Sequence, residues 1–242
     1  MPYYYPTYYN FSGILPLLIC MAFALWASHN VNSTFRKYAN QFSRRRLTGA
    51  QAAQRVLSAN GVHGVRIERI AGNLTDHFDP KTNVIRLSDS VYDNTSTAAI
   101  GVACHEAGHA VQYAQNYGPI KLRSAIVPVT NLGSKLAMPL ILLGILLSFL
   151  GNFSYTLVYV GIACFSLSVV FQLITLPVEF NASRRALRAI EDGQILTDEE
   201  LKGARKTLSA AAMTYVAATA IAMAQLLRLL ILFGGRGRRR DD

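Results

Sequence analysis

Three long apolar runs dominate the pattern of hydrophobic and polar positions along the chain. They cover residues 14–28, 129–150 and 155–178. A hydrocarbon core of about 30 Å takes on the order of 20 helical residues to cross, so the second and third runs predict transmembrane helices. The connector between them, residues 151–154, carries no charge and predicts a tight hairpin.

The first apolar run fits either a signal peptide or a retained transmembrane helix. A signal peptide begins with a positively charged segment. Here the preceding residues are rich in tyrosine and include no lysine or arginine. We therefore expect a retained helix, with Tyr3 to Tyr9 as aromatic residues at the membrane interface.

A polar stretch with turn signals extends over roughly residues 35–123. Thr48 can cap a helix that reaches about residue 59, and Ser96 or Thr97 can open a second helix that reaches about Asn116. Three short strand-like runs separated by turn residues lie between the two helices and predict a small antiparallel sheet. These runs are Val65 to Ile70, Leu74 to Phe78 and Asn83 to Leu87.

The chain after the third apolar run is predicted to be helical. A polar helical segment, residues 179–193, ends at Gly193, and Thr197 with Glu200 forms a capping-box start for a last long helix. Beyond Ala210 this helix is apolar as far as Phe233. That apolar part crosses the membrane, lies half-inserted, or packs against the polar part of the protein, and its small residues suit close helix packing.

Composition supports membrane residence. Hydrophobic residues make up 51% of the 242 residues and charged residues only 16%, which is unusual for a soluble globular protein. The formal charge is +10, but the basic residues cluster where apolar runs end. This placement favours lipid headgroups as partners and argues against nucleic acid. The three cysteines have no paired spacing, so no disulfide framework is expected.

The second predicted helix carries the sequence CHEAGHAV, residues 104–111. Residues four apart share a helix face, so His105 and His109 can direct ring nitrogens at one ion, with Glu106 beside it. This is the HExxH pattern of zinc metalloproteases, in which the carboxylate takes a proton from the attacking water. The alternative is a pair of surface histidines, but Gly108 and its small neighbours favour a close approach by another element. The predicted fold class is therefore an α+β membrane protein, mainly helical, with transmembrane helices and a small antiparallel sheet beside a zincin-like HExxH helix.

A hydrolytic zinc site usually has three protein ligands. No further histidine follows His109 at the spacing found in metzincins. Glu179 stands out, because a carboxylate at the polar end of a transmembrane helix is costly unless it meets a cation or water. The alternative for Glu179 is an ion pair with Arg184 or Arg185. The full set of candidates for the third ligand is His63, His77, Asp79, Asp89, Asp93, Glu179, Glu191 and Asp192.

Four segments in this order resemble the YugP-type neutral zinc metallopeptidases of bacteria. The segments are LTDHFDP, NVIRLSDSVY, HEAGHAVQ and LPVEFNASRRAL. The chain is more distantly similar to membrane gluzincins such as HtpX and the CAAX prenyl proteases. The resemblance implies an endopeptidase with one Zn²⁺ per chain, the ligands His105, His109 and Glu179, and Glu106 as general base. Gluzincins commonly have an aspartate four residues after the third ligand, where this chain has Ser183.

The mechanism requires further groups whose positions the sequence leaves open. Candidate donors to the oxyanion are His77, Arg184 and Tyr215, and Asn181, Ser183 or Asp192 could support the zinc-binding histidines. A protein or peptide substrate could add as a strand to the edge of the small sheet, and residues 83–87 are the expected edge because they directly precede the HExxH helix. Simple core packing is the alternative for that run.

These predictions divide the chain into five parts. They are an N-terminal transmembrane helix (1–28), a metalloprotease domain (29–128), a transmembrane hairpin (129–178), a helical segment with the third ligand (179–210), and an apolar helix with a basic tail (211–242). The lysines and arginines after the first helix predict that the metalloprotease domain lies on the cytoplasmic side of the membrane. The resemblance implies that this membrane is the inner membrane of a bacterium. The basic residues Arg236 to Arg240 disagree with this orientation if the last helix crosses the membrane.

Two alternative functions are distinguished by the sequence. A site-2-type protease carries HExxH inside a membrane span, whereas here Gln112, Gln115 and Asn116 share the predicted helix with the motif. A catalytically silent membrane scaffold could keep a protease-like fold. That alternative is disfavoured because the chain retains every residue that would bind the metal and accept the proton.

Overall fold

The computed structural model describes the backbone of residues 8–234 and the side chains of residues 14–234. The predicted interfacial side chains of Tyr3 to Tyr9 and the basic tail after residue 234 lie outside the described residues. The helices are α1 (Tyr8–Ala39), α2 (Gly49–Ala59), α3 (Thr97–Ala114), α4 (Gly118–Leu146), α5 (Asn152–Asp192) and α6 (Asp198–Phe233), with a 3₁₀ turn at Ser148–Leu150. The strands are β1 (Arg66–Ile70), β2 (His77–Asp79) and β3 (Val84–Ser88).

The chain divides into two compact units. The site unit comprises Ala27–Leu122 and Leu176–Thr214, and the apolar unit comprises the described residues up to Trp26, Arg123–Thr175 and those from Tyr215 onward. In the apolar unit α4 and α5 approach closely at glycines: a Cβ on Gly144 would lie 2.7 Å from the carbonyl oxygen of Ser154. Such contacts are typical of helices packed in membranes. The predicted division into five parts stays a prediction.

Two helices extend further than the apolar runs that predicted them. The first continues past Ser28 to Ala39, and polar side chains in this extension bond to the helix's own carbonyls, as Asn32 does to the oxygen of Ser28 at 2.9 Å. The third predicted span and the polar segment after it form one helix, α5, with Pro177 inside it. The hydrophobic pattern therefore located these helices but not their ends.

The predicted helix starts are confirmed. Thr48 and Gln51 form a reciprocal capping box at α2, and the side chain of Ser96 accepts from the backbone of α3. At α6 the N–H of Thr197 donates to the Glu200 carboxylate at 2.9 Å. These caps are local in sequence, which is why the residue pattern predicts them.

The sheet corrects the predicted antiparallel arrangement. The strand order is β1-β3-β2, with β3 parallel to β1 and antiparallel to β2. Residues 83–87, expected at the edge, instead overlap the central strand β3, in which Val84, Ile85 and Leu87 are fully buried. Only the second predicted hairpin turn, between β2 and β3, joins neighbouring strands.

The loop after β1 explains this order. The N–H of Gly72 donates to Asp89 at 3.1 Å, and Asp76 accepts from the backbone N–H of Ser88 at 2.7 Å. Both bonds fasten the loop across the end of β3, so that the chain reaches the far side of β3 before β2 begins. Long-range side-chain bonds of this kind have no signature in a short sequence window.

Helix α3 lies at the centre of the site unit and is mostly buried. The backbone of α5 passes so close that a Cβ added to Gly108 would lie 2.8 Å from the carbonyl oxygen of Ala182. The close approach predicted from the small residues around the motif is confirmed. It brings α5, and with it Glu179, against the HExxH face.

We expect Gly108→Ala to destabilise the protein, although alanine is the better helix former by about 1 kcal/mol. The added methyl group would force α3 and α5 apart, which costs on the order of 1–3 kcal/mol in a packed interior. The control is Gly118→Ala, because a Cβ there would meet no atom within 4 Å. Thermal unfolding in detergent should show a lower midpoint for Gly108→Ala alone. An unchanged midpoint for that variant would contradict the packing described.

Candidate metal centre

Three side chains of the site unit converge on one point. His105 and His109 lie one turn apart on α3, with ring centroids 4.7 Å apart. The carboxylate of Glu179, on α5, lies 3.2 Å from Nε2 of His105 and 3.4 Å from Nε2 of His109. One ligand atom from each of the three residues falls within 4.8 Å of the others. This is the only such group among the described residues, and it is the geometry that the spacing of the motif predicted for the two histidines.

The cluster is shielded from solvent. The side chains of His109 and Glu179 are 8% and 2% exposed, and that of His105 is 13% exposed. Burying a carboxylate between two imidazoles is unfavourable unless its charge is compensated. A shared cation or a protonated ring would supply that compensation.

The outer nitrogen of each ring has its own partner. Nδ1 of His105 lies 3.1 Å from the hydroxyl of Ser183, the residue that stands where gluzincins commonly have an aspartate. Nδ1 of His109 lies 3.0 Å from Oε1 of Gln112. Both Nε2 atoms are therefore the ones that face Glu179.

A chain of hydrogen bonds sets the tautomer of His109. Arg185 has only N–H donors, so its 2.8 Å bond requires an oxygen on Asn181. That oxygen and the backbone carbonyl of Val178 both accept from the side-chain nitrogen Nε2 of Gln112, at 2.9 Å each. The remaining amide atom of Gln112 must be its oxygen, which can only accept from Nδ1–H of His109. In the neutral imidazole, Nε2 of His109 is therefore the unprotonated nitrogen, and it faces the cluster.

Glu106 lies beside the cluster and is 8% exposed. The backbone N–H of Phe78, on β2, faces its carboxylate and favours the charged form. Burial raises the pKa of Glu106 to about 7; the charge of His105 opposes this rise, while those of Glu179 and Asp76 add to it. A nearby cation would lower this pKa, because opposite charge favours the carboxylate. A group that titrates near neutral pH suits proton transfer.

The residues predicted to support the histidines or to stabilise the oxyanion lie at different places in the structure. Asn181 supports the histidines through Gln112, as described above. His77 is exposed on β2, with Nδ1 2.9 Å from the carbonyl oxygen of Thr75. Arg184 is exposed on α5, and Tyr215 belongs to the apolar unit. The oxyanion roles suggested for His77, Arg184 and Tyr215 stay predictions.

Most of the other candidates for the third ligand are engaged elsewhere or exposed. Asp79 pairs with Arg86 at 3.3 Å. Asp89 and Asp93 both pair with Arg69, at 2.7 and 2.8 Å. The candidates that are exposed on the surface of the site unit are His63, Glu191 and Asp192.

Two groups that contribute to the candidate metal centre were not predicted from the sequence. Gln112 follows His109 by three positions on the same helix face, and this spacing could have indicated it. The N–H of Phe78 had no such signal, because its contact with Glu106 depends on the strand order.

Comparisons with known proteins show the family to which the chain belongs. A family model described as "Putative neutral zinc metallopeptidase" matches residues 13–234. The chain is 44% identical over 216 residues to the "Putative membrane protease YugP" of Bacillus subtilis (strain 168), which covers 89% of this chain and 94% of that relative. No solved structure matches the chain. The chain therefore belongs to the neutral zinc metallopeptidase family, as its motifs indicated.

The helices and the relative's name both indicate a membrane protein. Within the described residues, four helices are long and apolar enough to cross a membrane: α1 from Ile14 on, α4, α5 and α6. This includes the last apolar helix, whose crossing the sequence left open. Length and composition permit that crossing, and the side of the membrane that holds the site unit stays a prediction.

Proposed function

We propose that the protein is a zinc-dependent endopeptidase of the gluzincin type that cleaves membrane or membrane-proximal proteins. One observation carries the proposal: two imidazole nitrogens and a carboxylate oxygen converge beside a buried second carboxylate, Glu106. Family membership supports zinc and peptide hydrolysis as its chemistry.

The donor set fits zinc. Neutral imidazole nitrogens and one carboxylate are ligands that Zn²⁺ accepts, and three protein ligands leave a position open in hydrolytic sites. The hydrogen-bond chain through Gln112 presents an unprotonated Nε2 on His109. We assign His105, His109 and Glu179 as ligands of one Zn²⁺ per chain.

The chain's own residues then perform the proton transfers. When bound, zinc acidifies a coordinated water and polarises the peptide carbonyl. Glu106 accepts the proton of the attacking water and delivers it to the amine that leaves. The N–H of Phe78 faces the Glu106 carboxylate and favours its charged form. The buried surroundings exclude competing solvent from this exchange.

The corrected sheet moves the proposed substrate position from β3 to β2. Strand β2 is an edge of the sheet, and the backbone N–H of its residue Phe78 faces Glu106. An extended peptide placed along this edge would pass beside the proposed general base. Main-chain hydrogen bonds would then provide affinity with little dependence on sequence.

We also propose that the site unit lies on the cytoplasmic side of a bacterial inner membrane. The basic residues that follow α1's apolar part support this orientation, since positive charge favours the cytoplasmic side. Cysteine accessibility on either side of the membrane tests it at Gln54 and Lys202, both exposed in the site unit.

Removing the metal should abolish peptide hydrolysis. We expect a chelator to stop cleavage of casein or of a membrane peptide by the purified protein, and added Zn²⁺ to restore it. Mass spectrometry of the products would show the cut peptide bonds. Cleavage that continues with the metal content near zero would contradict the proposed function.

Gln112→Leu should weaken zinc binding. The substitution keeps the volume of the side chain but removes the acceptor for Nδ1–H of His109. Loss of such a supporting bond typically costs 10–100-fold in metal affinity. Zinc competition with a chromophoric chelator measures it, with Gln54→Leu on α2 as the exposed control. Equal zinc affinity in both variants would show that Gln112 does not orient His109.

A further inference from the structure

A cavity of about 520 Å³ lies in the site unit between α5 and α6. Three arginines line it: Arg184 and Arg188 on α5, and Arg205 on α6. Glu191 is the only acidic residue among the lining residues. The cavity therefore presents an excess of positive charge.

The arginines of this cavity are free to bind a ligand. No hydrogen bond or ion pair joins Arg184, Arg188 or Arg205 to another described residue. By contrast, the neighbouring Arg185 donates to Asn181 and Gln115. Three like charges on one cavity repel each other unless an anion is shared among them. Guanidinium groups suit phosphate, which they can bind through two parallel hydrogen bonds.

The rest of the cavity wall is apolar. Phe180 is 39% exposed and Leu208 is buried, and Met213 lies one turn beyond Ser209 on the same wall. Phe180 lies two residues after the end of the apolar run of α5, and Met213 belongs to the apolar run of α6. Charged and apolar surfaces therefore meet at the polar ends of two helices that are long enough to span a membrane.

We propose that this cavity binds an anionic phospholipid. The three arginines hold the phosphate of the headgroup, and Phe180, Leu208 and Met213 contact the start of an acyl chain. A free phosphate would leave the apolar wall without a partner, and an acidic peptide would not use the junction with the apolar runs. Basic pockets between membrane helices bind lipid headgroups by the same physics. The proposal does not depend on the zinc chemistry.

Native mass spectrometry of the full-length protein in detergent tests the site. Phosphatidylglycerol and phosphatidylcholine with identical acyl chains are titrated separately, and inorganic phosphate or a glutamate-rich peptide is added as competitor. The test variant carries Arg184→Gln, Arg188→Gln and Arg205→Gln. The control carries Arg55→Gln, Lys202→Gln and Lys206→Gln, which change the net charge equally at exposed positions outside the cavity.

We expect one phosphatidylglycerol bound more tightly than phosphatidylcholine by the wild type and by the control. The triple arginine variant should bind it about 100-fold more weakly, at roughly fivefold for each of the three lost contacts. If that variant does not fold, Arg188→Glu alone should weaken binding by at least about tenfold. Equal binding by the arginine variants and the control would overturn the proposal, and so would displacement of the lipid by equimolar phosphate or peptide.

Discussion

Glu106→Gln is expected to abolish peptide hydrolysis while the protein keeps its zinc. Glutamine has nearly the same volume, but it cannot take a proton from water. A positioned general base contributes about 10²- to 10⁴-fold to the rate. Because the substitution leaves His105, His109 and Glu179 unchanged, metal content should stay near one zinc per chain.

The control for this variant is Glu199→Gln, which makes the same chemical change at an exposed position on α6. Cleavage of casein or of a membrane peptide and zinc content are measured on the same preparations. Equal cleavage by the wild type and Glu106→Gln would remove the enzyme proposal. Zinc without hydrolysis in both proteins would instead favour the catalytically silent scaffold.

Glu179→Ala is expected to lose the metal. The substitution removes the only anionic ligand and leaves two imidazoles, which hold zinc far more weakly than three ligands do. We expect less than about a tenth of the wild-type zinc after dialysis. Hydrolysis should fall in parallel, because the proposed reaction requires the bound ion.

Loss of a buried side chain could also disturb the fold, so Glu179→Gln serves as the second variant. It keeps the volume and can still contact His105, yet its neutral amide is a poor ligand. The exposed Asp192→Asn on the same helix is the control. Full zinc content in Glu179→Gln together with native circular dichroism would move the third ligand elsewhere.

Local features of this fold were predictable from the sequence, whereas long-range ones were not. The helix caps at Thr48, Ser96 and Thr197 depend on residues three positions away. The two histidines of the motif share a helix face because they are one helical turn apart. The order of the strands depends on bonds from Asp76 and Gly72 to the far end of β3. Such contacts join segments more than ten residues apart, and pairing rules for adjacent strands do not anticipate them.

The candidate site shows the same division. The sequence narrowed the third ligand to a set that included Glu179, but its contact with α3 depends on the glycine that lets α5 approach. Ser183 could be identified from the sequence, because it lies four residues after Glu179. The hydrogen-bond chain that supports His109 could not be predicted from the sequence, because it combines residues from two helices far apart in the chain: Gln112, Asn181 and Arg185.

Anomalous diffraction at the zinc absorption edge, from crystals of the wild-type protein, tests the central claim most directly. The claim predicts a single strong peak per chain within bonding distance of Nε2 of His105, Nε2 of His109 and the carboxylate of Glu179, at about 2.0–2.2 Å from each. A zinc-replete crystal with no peak there, or with its peak bound by other residues, would contradict the account.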